Sequence, residues 1–108
     1  MGEIIYEKLV RDKIPQIIEQ DGEQPVTRIL GDAEYRRKLL EKLVEEANEL
    51  LVSDGERGER ADVAEVLKVL DGVLGYTSEE IEETRAKKAE ERGGFEGRIF
   101  LEKAITND

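Results

Sequence analysis

The stretch EEANELLVSDGERGERAD, residues 45–62, decides the fold, because it places two acidic clusters on either side of a short Asp-Gly turn. If the chain is helical on both sides, the stretch forms an αα-hairpin, in which residues equidistant from the turn lie at the same axial level. Glu46 and Asp62 are equidistant from the turn, and so are Glu49 and Glu59. The sequence therefore predicts that these carboxylates face each other in pairs across the hairpin.

Helical periodicity gives both predicted helices an apolar face. On the first helix this face comprises Leu39, Leu40, Leu43, Val44, Ala47, Leu50 and Leu51. Glu46 lies at the edge of that face, and Glu49 lies just outside it. On the second helix the face comprises Val63, Val66, Leu67, Leu70, Val73 and Leu74. Glu59 and Asp62 project from within this second face.

Carboxylates within an apolar face lose solvation, so they must be protonated, paired with cations or bound to a metal. Several carboxylates that converge on one point favour a metal. An alternative interpretation assigns Glu59 and Asp62 to the first turns of a helix, where acidic residues suit the helix dipole. The acidic run around Glu45 is then an ordinary solvated face. The residues alone leave both interpretations open.

The composition predicts a single domain, residues 1–108, built from helices with narrow buried stripes, because 41% of the residues are charged and 38% are hydrophobic. A net charge of −10 argues against a nucleic-acid polymer as the partner. The chain has no histidine and no cysteine, which excludes imidazole bases, thiol nucleophiles and Cys/His zinc sites. Any metal must have oxygen ligands, so Mg²⁺, Mn²⁺ and Ca²⁺ are the candidates.

No apolar run approaches the ~18 residues of a membrane-spanning helix, and the N-terminal sequence MGEIIYEK lacks the apolar core of a signal peptide. These features predict a soluble cytoplasmic protein that does not associate with a membrane.

Caps and breakers outside the hairpin predict the remaining elements. Thr77 and Glu80 have the spacing of a capping box. The predicted helices are one that follows an N-cap at Asp12 and ends at Gly22, one from an N-cap at Asp32 to Val52, one from Glu56–Glu59 to Leu74, and one from Ser78 to Arg92. The β-branched stretch PVTRIL and the later stretch RIFLEKA also predict a small two-stranded β-ribbon near residues 27–30 and 98–103.

Laid out in this way, the chain resembles the all-α nucleoside triphosphate pyrophosphohydrolases, the superfamily of MazG and phosphoribosyl-ATP pyrophosphatase. The superfamily pattern is EExxE followed, after a spacer, by ExxD. Its counterparts here, separated by nine residues, are Glu45, Glu46 and Glu49, then Glu59 and Asp62. The stretches KLVRDKIP, PVTRIL and AEERGGFEGRIFLEK resemble a small branch of predicted house-cleaning enzymes within that superfamily.

The resemblance implies an all-α helical bundle that assembles as a homodimer or larger homo-oligomer. It also implies Mg²⁺-dependent hydrolysis of a nucleoside triphosphate between the α- and β-phosphates, which gives a nucleoside monophosphate and pyrophosphate. The residues that match the metal ligands of the superfamily are Glu46, Glu49, Glu59 and Asp62. Glu45 matches a helper that tunes the cluster or holds a further ion, and Mn²⁺ is an alternative metal.

General acid–base chemistry requires a group that accepts a proton from the attacking water. Glu49 and Glu45 are the candidates for this catalytic role, and the sequence does not choose between them. Cations must hold the outer phosphates, because the carboxylates would otherwise repel the substrate. Lys42, one turn before Glu46, is the first candidate, although it suits equally well an intrahelical pair with Glu46 and Glu49. The other candidates are Arg11, Lys13, Lys87, Lys88 and Arg92.

Two other functions fit the sequence. One is phosphoribosyl-ATP pyrophosphatase activity, which the short spacer and the extra terminal motifs disfavour. The other is a non-catalytic acidic helical module that binds a metal ion for stability or binds a partner protein.

Overall fold

The computed structural model describes residues 2–106, and every regular element in that range is a helix. The four helices are α1 (Ile14–Gln20), α2 (Asp32–Val52), α3 (Arg57–Leu74) and α4 (Ser78–Arg92). The predicted all-α fold with its long antiparallel hairpin is confirmed, since α2 and α3 pack against each other.

The described chain divides into two compact units. The first extends to Gly75 and contains α1, α2 and α3. The second begins at Tyr76 and contains α4. All five carboxylates of the EExxE and ExxD motifs belong to the first unit, so the candidate site lies within that unit.

The turn between α2 and α3 is built by residues that tolerate a left-handed backbone. Asp54 has a φ of 56° and Gly55 a φ of 90°, a region open to glycine and, among other residues, mainly to Asn and Asp. The Ser53 hydroxyl then accepts a hydrogen bond from the Glu56 amide at 3.1 Å. The Glu56 carboxylate caps α3 by accepting from the Glu59 amide at 2.9 Å. The local sequence thus fixes both the reversal of the chain and the first turn of α3.

The apolar core of the hairpin is small. Among the described residues, the buried hydrophobic side chains are Leu39 on α2 and Val66 and Leu70 on α3. The predicted apolar face of α2 is only partly covered, because Val44 is 61% exposed and Leu51 is 77% exposed. This unit therefore leaves one side of its longest helix without an apolar partner.

Two predicted helix caps are wrong, and a third is confirmed. Asp12 does not cap α1, because Pro15 sits in the first turn and the cap position falls on Lys13. Asp32 is not the cap of α2 either, since Gly31 takes the extended cap conformation and Asp32 is the first helical residue. The capping box that begins α4 is present in full, with both hydrogen bonds between Thr77 and Glu80 at 3.1 Å.

The predicted β-ribbon near residues 27–30 and 98–103 is wrong, because neither segment is a strand. Both segments are irregular, and Ile29, Ile99 and Phe100 within them are largely exposed. An isolated two-stranded ribbon is at best marginally stable and needs an apolar surface to cover one of its faces. β-branched composition alone does not supply such a surface.

Across residues 2–106, none of the helices combines the length and the apolar character needed to cross a lipid bilayer.

Candidate metal centre

The hairpin brings five carboxylates together as two overlapping groups, which we call the acidic cluster. The first group is Glu45, Glu46 and Glu49, all on α2, and the second is Glu46 with Glu59 and Asp62 from α3. Within each group, one oxygen from every residue lies within 4.8 Å of the others. Glu46 belongs to both groups, so the two helices meet at its carboxylate, and each group could hold a metal ion.

Glu46 is the most deeply placed member of the cluster. Glu46 as a whole is only 7% exposed, and its Oε2 is buried without a hydrogen-bond partner. Oε2 of Glu59 is in the same situation. A buried polar atom with no partner is costly, because it has given up its hydrogen bonds to water without replacing them. Two such oxygens, one from each helix of the hairpin, match the donor chemistry that a hard divalent cation requires.

Lys42 provides the internal cation of the cluster. Its Nζ lies 3.3 Å from Oε2 of Glu45 and 3.2 Å from Oε1 of Glu46, and its side chain is only 17% exposed. The intrahelical pairing of Lys42 with Glu46 is therefore present, whereas its other contact is with Glu45. The ammonium group holds Oε1 of Glu46 and leaves Oε2 unpaired.

The segment before α1, residues 2–13, supplies two further cations, and we call it the N-terminal segment. Lys8 donates to Oε1 of Glu45 at 3.2 Å, and Arg11 donates to Oδ1 of Asp62 at 2.7 Å. This irregular segment thus contacts a carboxylate on each helix of the hairpin. With all five carboxylates ionised, the three cations leave two negative charges of the acidic cluster uncompensated. One divalent cation would neutralise these two charges.

The surroundings shift the pKa values of neighbouring groups in opposite directions. Burial raises the pKa of Glu46, and the nearby Glu49 carboxylate adds to this, although the hydrogen bond from Lys42 opposes it. Partial burial acts in the same direction on Glu45, but hydrogen bonds from Lys8 and Lys42 outweigh it and lower the pKa of Glu45. For Lys42, burial disfavours the charge, yet hydrogen bonds to Glu46 and Glu45 leave the pKa raised. Lys42 is therefore a permanent cation at neutral pH.

An open depression lies beside the acidic cluster at the turn end of the hairpin. It is lined by Asn48, Glu49, Val52, Ser53 and Glu59. Glu49 and Glu59, which the sequence predicts at one axial level, thus face the same solvent-accessible space. A ligand in this depression would reach both helices.

The predicted phosphate-binding residues have different positions. Lys42 and Arg11 contact the acidic cluster, whereas Lys13 makes no ion pair with any residue in the range 2–106. Lys87, Lys88 and Arg92 lie on α4 in the second unit, so their role stays a prediction.

Lys8 belongs with Arg11 and Lys13 to a basic cluster that suits phosphate contacts, but the sequence does not predict its contact with Glu45. Its contact with Glu45 spans 37 positions, and no spacing rule connects residues so far apart. The only signal in the sequence is the basic character of the stretch KLVRDK.

The raised pKa of Glu46 predicts a pH-dependent stability of the metal-free protein. The folded state binds this proton more tightly than the unfolded state, for which the ordinary value is 4.5. The stabilisation is complete below that value and is lost as the pH rises through the raised pKa. We expect Glu46→Gln, which cannot ionise, to gain in unfolding temperature over the wild type as the pH rises from 4.5 towards neutrality.

Circular dichroism melts of both proteins in the presence of a chelator measure this difference. The lowered pKa of Glu45 affects stability only below its ordinary value of 4.5, which is outside the pH range of this comparison. Both proteins also share this effect. A constant difference in unfolding temperature across the window would contradict the assignment of the buried, titrating group to Glu46.

Comparisons with known proteins identify a similar stretch in another protein, but they indicate no activity. No family model matches the chain, and no solved structure matches it. A stretch of 47 residues is 49% identical to part of an uncharacterized protein of Mycolicibacterium smegmatis (strain ATCC 700084 / mc(2)155). The match covers 44% of this chain and 48% of that protein, so the chain spans about half the length of its relative.

Proposed function

We propose that this protein is a Mg²⁺-dependent nucleoside triphosphate pyrophosphohydrolase. It cleaves between the α- and β-phosphates, releases a nucleoside monophosphate and pyrophosphate, and acts as a house-cleaning enzyme on the cytoplasmic nucleotide pool. The observation that carries the proposal is the convergence of Glu46, Glu59 and Asp62 from two antiparallel helices, with buried oxygens on Glu46 and Glu59 that lack hydrogen-bond partners. The resemblance of these motifs to the pyrophosphohydrolase pattern supports the same assignment.

The donor set fits the proposed metal. All candidate ligands are carboxylates, which suit Mg²⁺ first and Mn²⁺ as an alternative. The residues proposed to hold metal are Glu46, Glu59 and Asp62 in the group that joins the helices, and Glu49 in the group on α2. When bound, the ion supplies charge neutralisation for the phosphates and a lowered pKa for a coordinated water.

Glu49 is the better of the two candidate bases. Both oxygens of Glu45 accept hydrogen bonds from lysines, and its pKa is lowered, which makes it a weaker proton acceptor. Glu49 is exposed, lines the open depression, and makes no ion pair within residues 2–106. We therefore propose that Glu49 accepts the proton of the water that attacks the α-phosphorus, while pyrophosphate leaves. In this assignment Glu45 holds Lys8 and Lys42 in place.

The substrate carries negative charge towards an already acidic site, so cations must offset it. Lys42 fulfils part of this requirement from within the hairpin, because its ammonium group is fixed between two carboxylates. We propose Lys42 as the internal phosphate-facing cation. Lys13, Lys87, Lys88 and Arg92 are further candidates, each of which alanine substitution can test through its effect on KM.

The proposed activity is tested with Mg²⁺ and a panel of canonical and modified nucleoside triphosphates. We expect nucleoside monophosphate and pyrophosphate in equal amounts, with no orthophosphate as a primary product. A chelator should stop the reaction, and Asp62→Asn should reduce it strongly, because Asp62 belongs to the group that joins the helices. Full turnover by Asp62→Asn, or no turnover on any nucleotide, would overturn the proposal.

Thermal unfolding separates the enzyme from a non-catalytic metal-binding module. Mg²⁺ raises the unfolding temperature in both cases, because it binds the folded state. Only the enzyme shows a further rise when a non-hydrolysable nucleoside triphosphate is added.

We also propose that the protein is a homo-oligomer, a dimer or larger. The support is the exposed apolar side of α2, on which Val44 and Leu51 have no apolar cover within the first unit. A second copy of the chain would supply the missing partner surface.

A further inference from the structure

Arg11 and Asp62 form an ion pair that differs in kind from the internal pair of Lys42. Arg11 reaches Asp62 with a single contact, from one terminal nitrogen to Oδ1 at 2.7 Å. Its side chain is 58% exposed, compared with 17% for Lys42. The guanidinium carries five N–H donors, so most of its donor capacity is not used on Asp62. Exposed ion pairs contribute little to stability, so this contact can be exchanged at low cost.

A second observation points to a ligand of the acidic cluster in addition to its own cations. Glu46 is nine-tenths buried, and its Oε2 has no hydrogen-bond partner. The same carboxylate contributes an oxygen to the group with Glu59 and Asp62. Lys42 already occupies the other oxygen of Glu46. A cation that satisfies this group must also draw on Asp62, whose Oδ1 accepts a hydrogen bond from Arg11.

We propose that Arg11 exchanges partners during the reaction cycle. In the metal-free protein it is the counter-ion of Asp62, and it competes with the divalent cation for that carboxylate. Once Asp62 is engaged by the metal, the guanidinium is left beside the site with its donors free, and it binds the outer phosphates of the nucleoside triphosphate. Planar guanidinium groups suit phosphate oxygens through paired hydrogen bonds. This inference rests on the metal site of the proposed function.

The N-terminal segment has two separate contacts with the hairpin, which is compatible with such an exchange. Lys8 keeps the segment on α2 through Glu45, a carboxylate outside the group that Glu46 forms with the two α3 residues. Arg11 lies three residues further along, outside the regular helix, and its carbonyl oxygen accepts a hydrogen bond from the Ile14 amide at 3.0 Å. The Arg11 side chain can therefore change partner without breaking the contact between Lys8 and Glu45.

The exchange predicts opposite effects of one substitution on two ligands. Arg11→Gln should bind Mg²⁺ or Mn²⁺ alone about two- to fivefold more tightly, because the competing cation of an exposed pair is gone. The same variant should bind a non-hydrolysable α,β-methylene nucleoside triphosphate, at saturating Mg²⁺, about tenfold or more weakly, because a charged hydrogen-bond donor to phosphate is lost. Arg11→Lys should fall between Arg11→Gln and the wild type for both ligands. Isothermal titration calorimetry measures both affinities without requiring turnover.

Arg28→Gln is the matched control. Arg28 also forms an exposed pair with a carboxylate of α2, Glu34, but that pair lies 11 residues before Glu45, about 16 Å along the helix. Both affinities should remain unchanged in this variant. Unchanged or weaker metal binding in Arg11→Gln, as expected if Arg11 only orients Asp62, would overturn the exchange and leave the proposed function standing. Failure of the wild type to bind either metal would overturn both.

Discussion

Replacing Glu46 by glutamine is expected to reduce Mg²⁺-dependent pyrophosphate release by about 1,000-fold or more, equivalent to about 4 kcal/mol of transition-state stabilisation. Glu46 is the one carboxylate that belongs to both groups of the acidic cluster, so its loss removes a ligand from each. Glutamine has the same shape but a much weaker oxygen donor for Mg²⁺. Steady-state assays on the best nucleotide of the panel measure the effect.

Loss of activity in this variant should not be caused by unfolding. The raised pKa of Glu46 means that its ionised form is unfavourable in the metal-free fold, so Glu46→Gln should be at least as stable as the wild type at neutral pH. Mg²⁺ should also raise the unfolding temperature of the wild type much more than that of the variant. Glu19→Gln, the same change on α1 outside the acidic cluster, is the matched control and should keep full activity. Wild-type turnover in Glu46→Gln would refute the metal site.

Replacing Val44 by glutamate is expected to dissociate the proposed homo-oligomer, weakening self-association by about 100-fold or more because a charge enters an apolar contact. Val44 belongs to an apolar stripe on α2 that the first unit leaves exposed in whole or in part. The stripe consists of Leu40, Val44, Ala47 and Leu51. Sedimentation velocity across a range of protein concentrations measures the assembly state.

The spacing of the stripe argues for a helix as its partner. Its members are four, three and four residues apart, which is the alternation that packs helices side by side in coiled coils. The same stripe on a second copy would complement it, since both would present Leu, Val and Ala at matching positions.

Val52→Glu is the control for this experiment, because it makes the same change on the same helix at an exposed position outside the stripe. Its assembly state should equal that of the wild type. A wild-type protein that sediments as a monomer at all concentrations, or a Val44→Glu variant that still associates, contradicts the proposed interface.

Local sequence signals account for most of the helical framework. The Asp54-Gly55 turn, the capping box at Thr77 and the apolar periodicity of α2 and α3 depend on interactions between residues a few positions apart, so they can be predicted from the chain itself. The two wrong caps, at Asp12 and Asp32, missed by a single residue. The wrong β-ribbon has a different cause, because a strand requires a partner and a covered face that local composition does not specify.

The sequence by itself determined the hairpin, and with it the axial levels that bring carboxylates of α2 and α3 together. It did not rank those carboxylates, and only the tertiary structure shows that Glu46 is buried with an unpaired oxygen while Glu49 faces solvent. The contacts of Lys8 and Arg11 likewise appear only in three dimensions, because an irregular segment has no periodicity that would place it on a helix 37 or 51 positions away. Backbone geometry repeats along a helix and is encoded locally, whereas burial and long-range ion pairs depend on which surfaces the folded chain brings into contact.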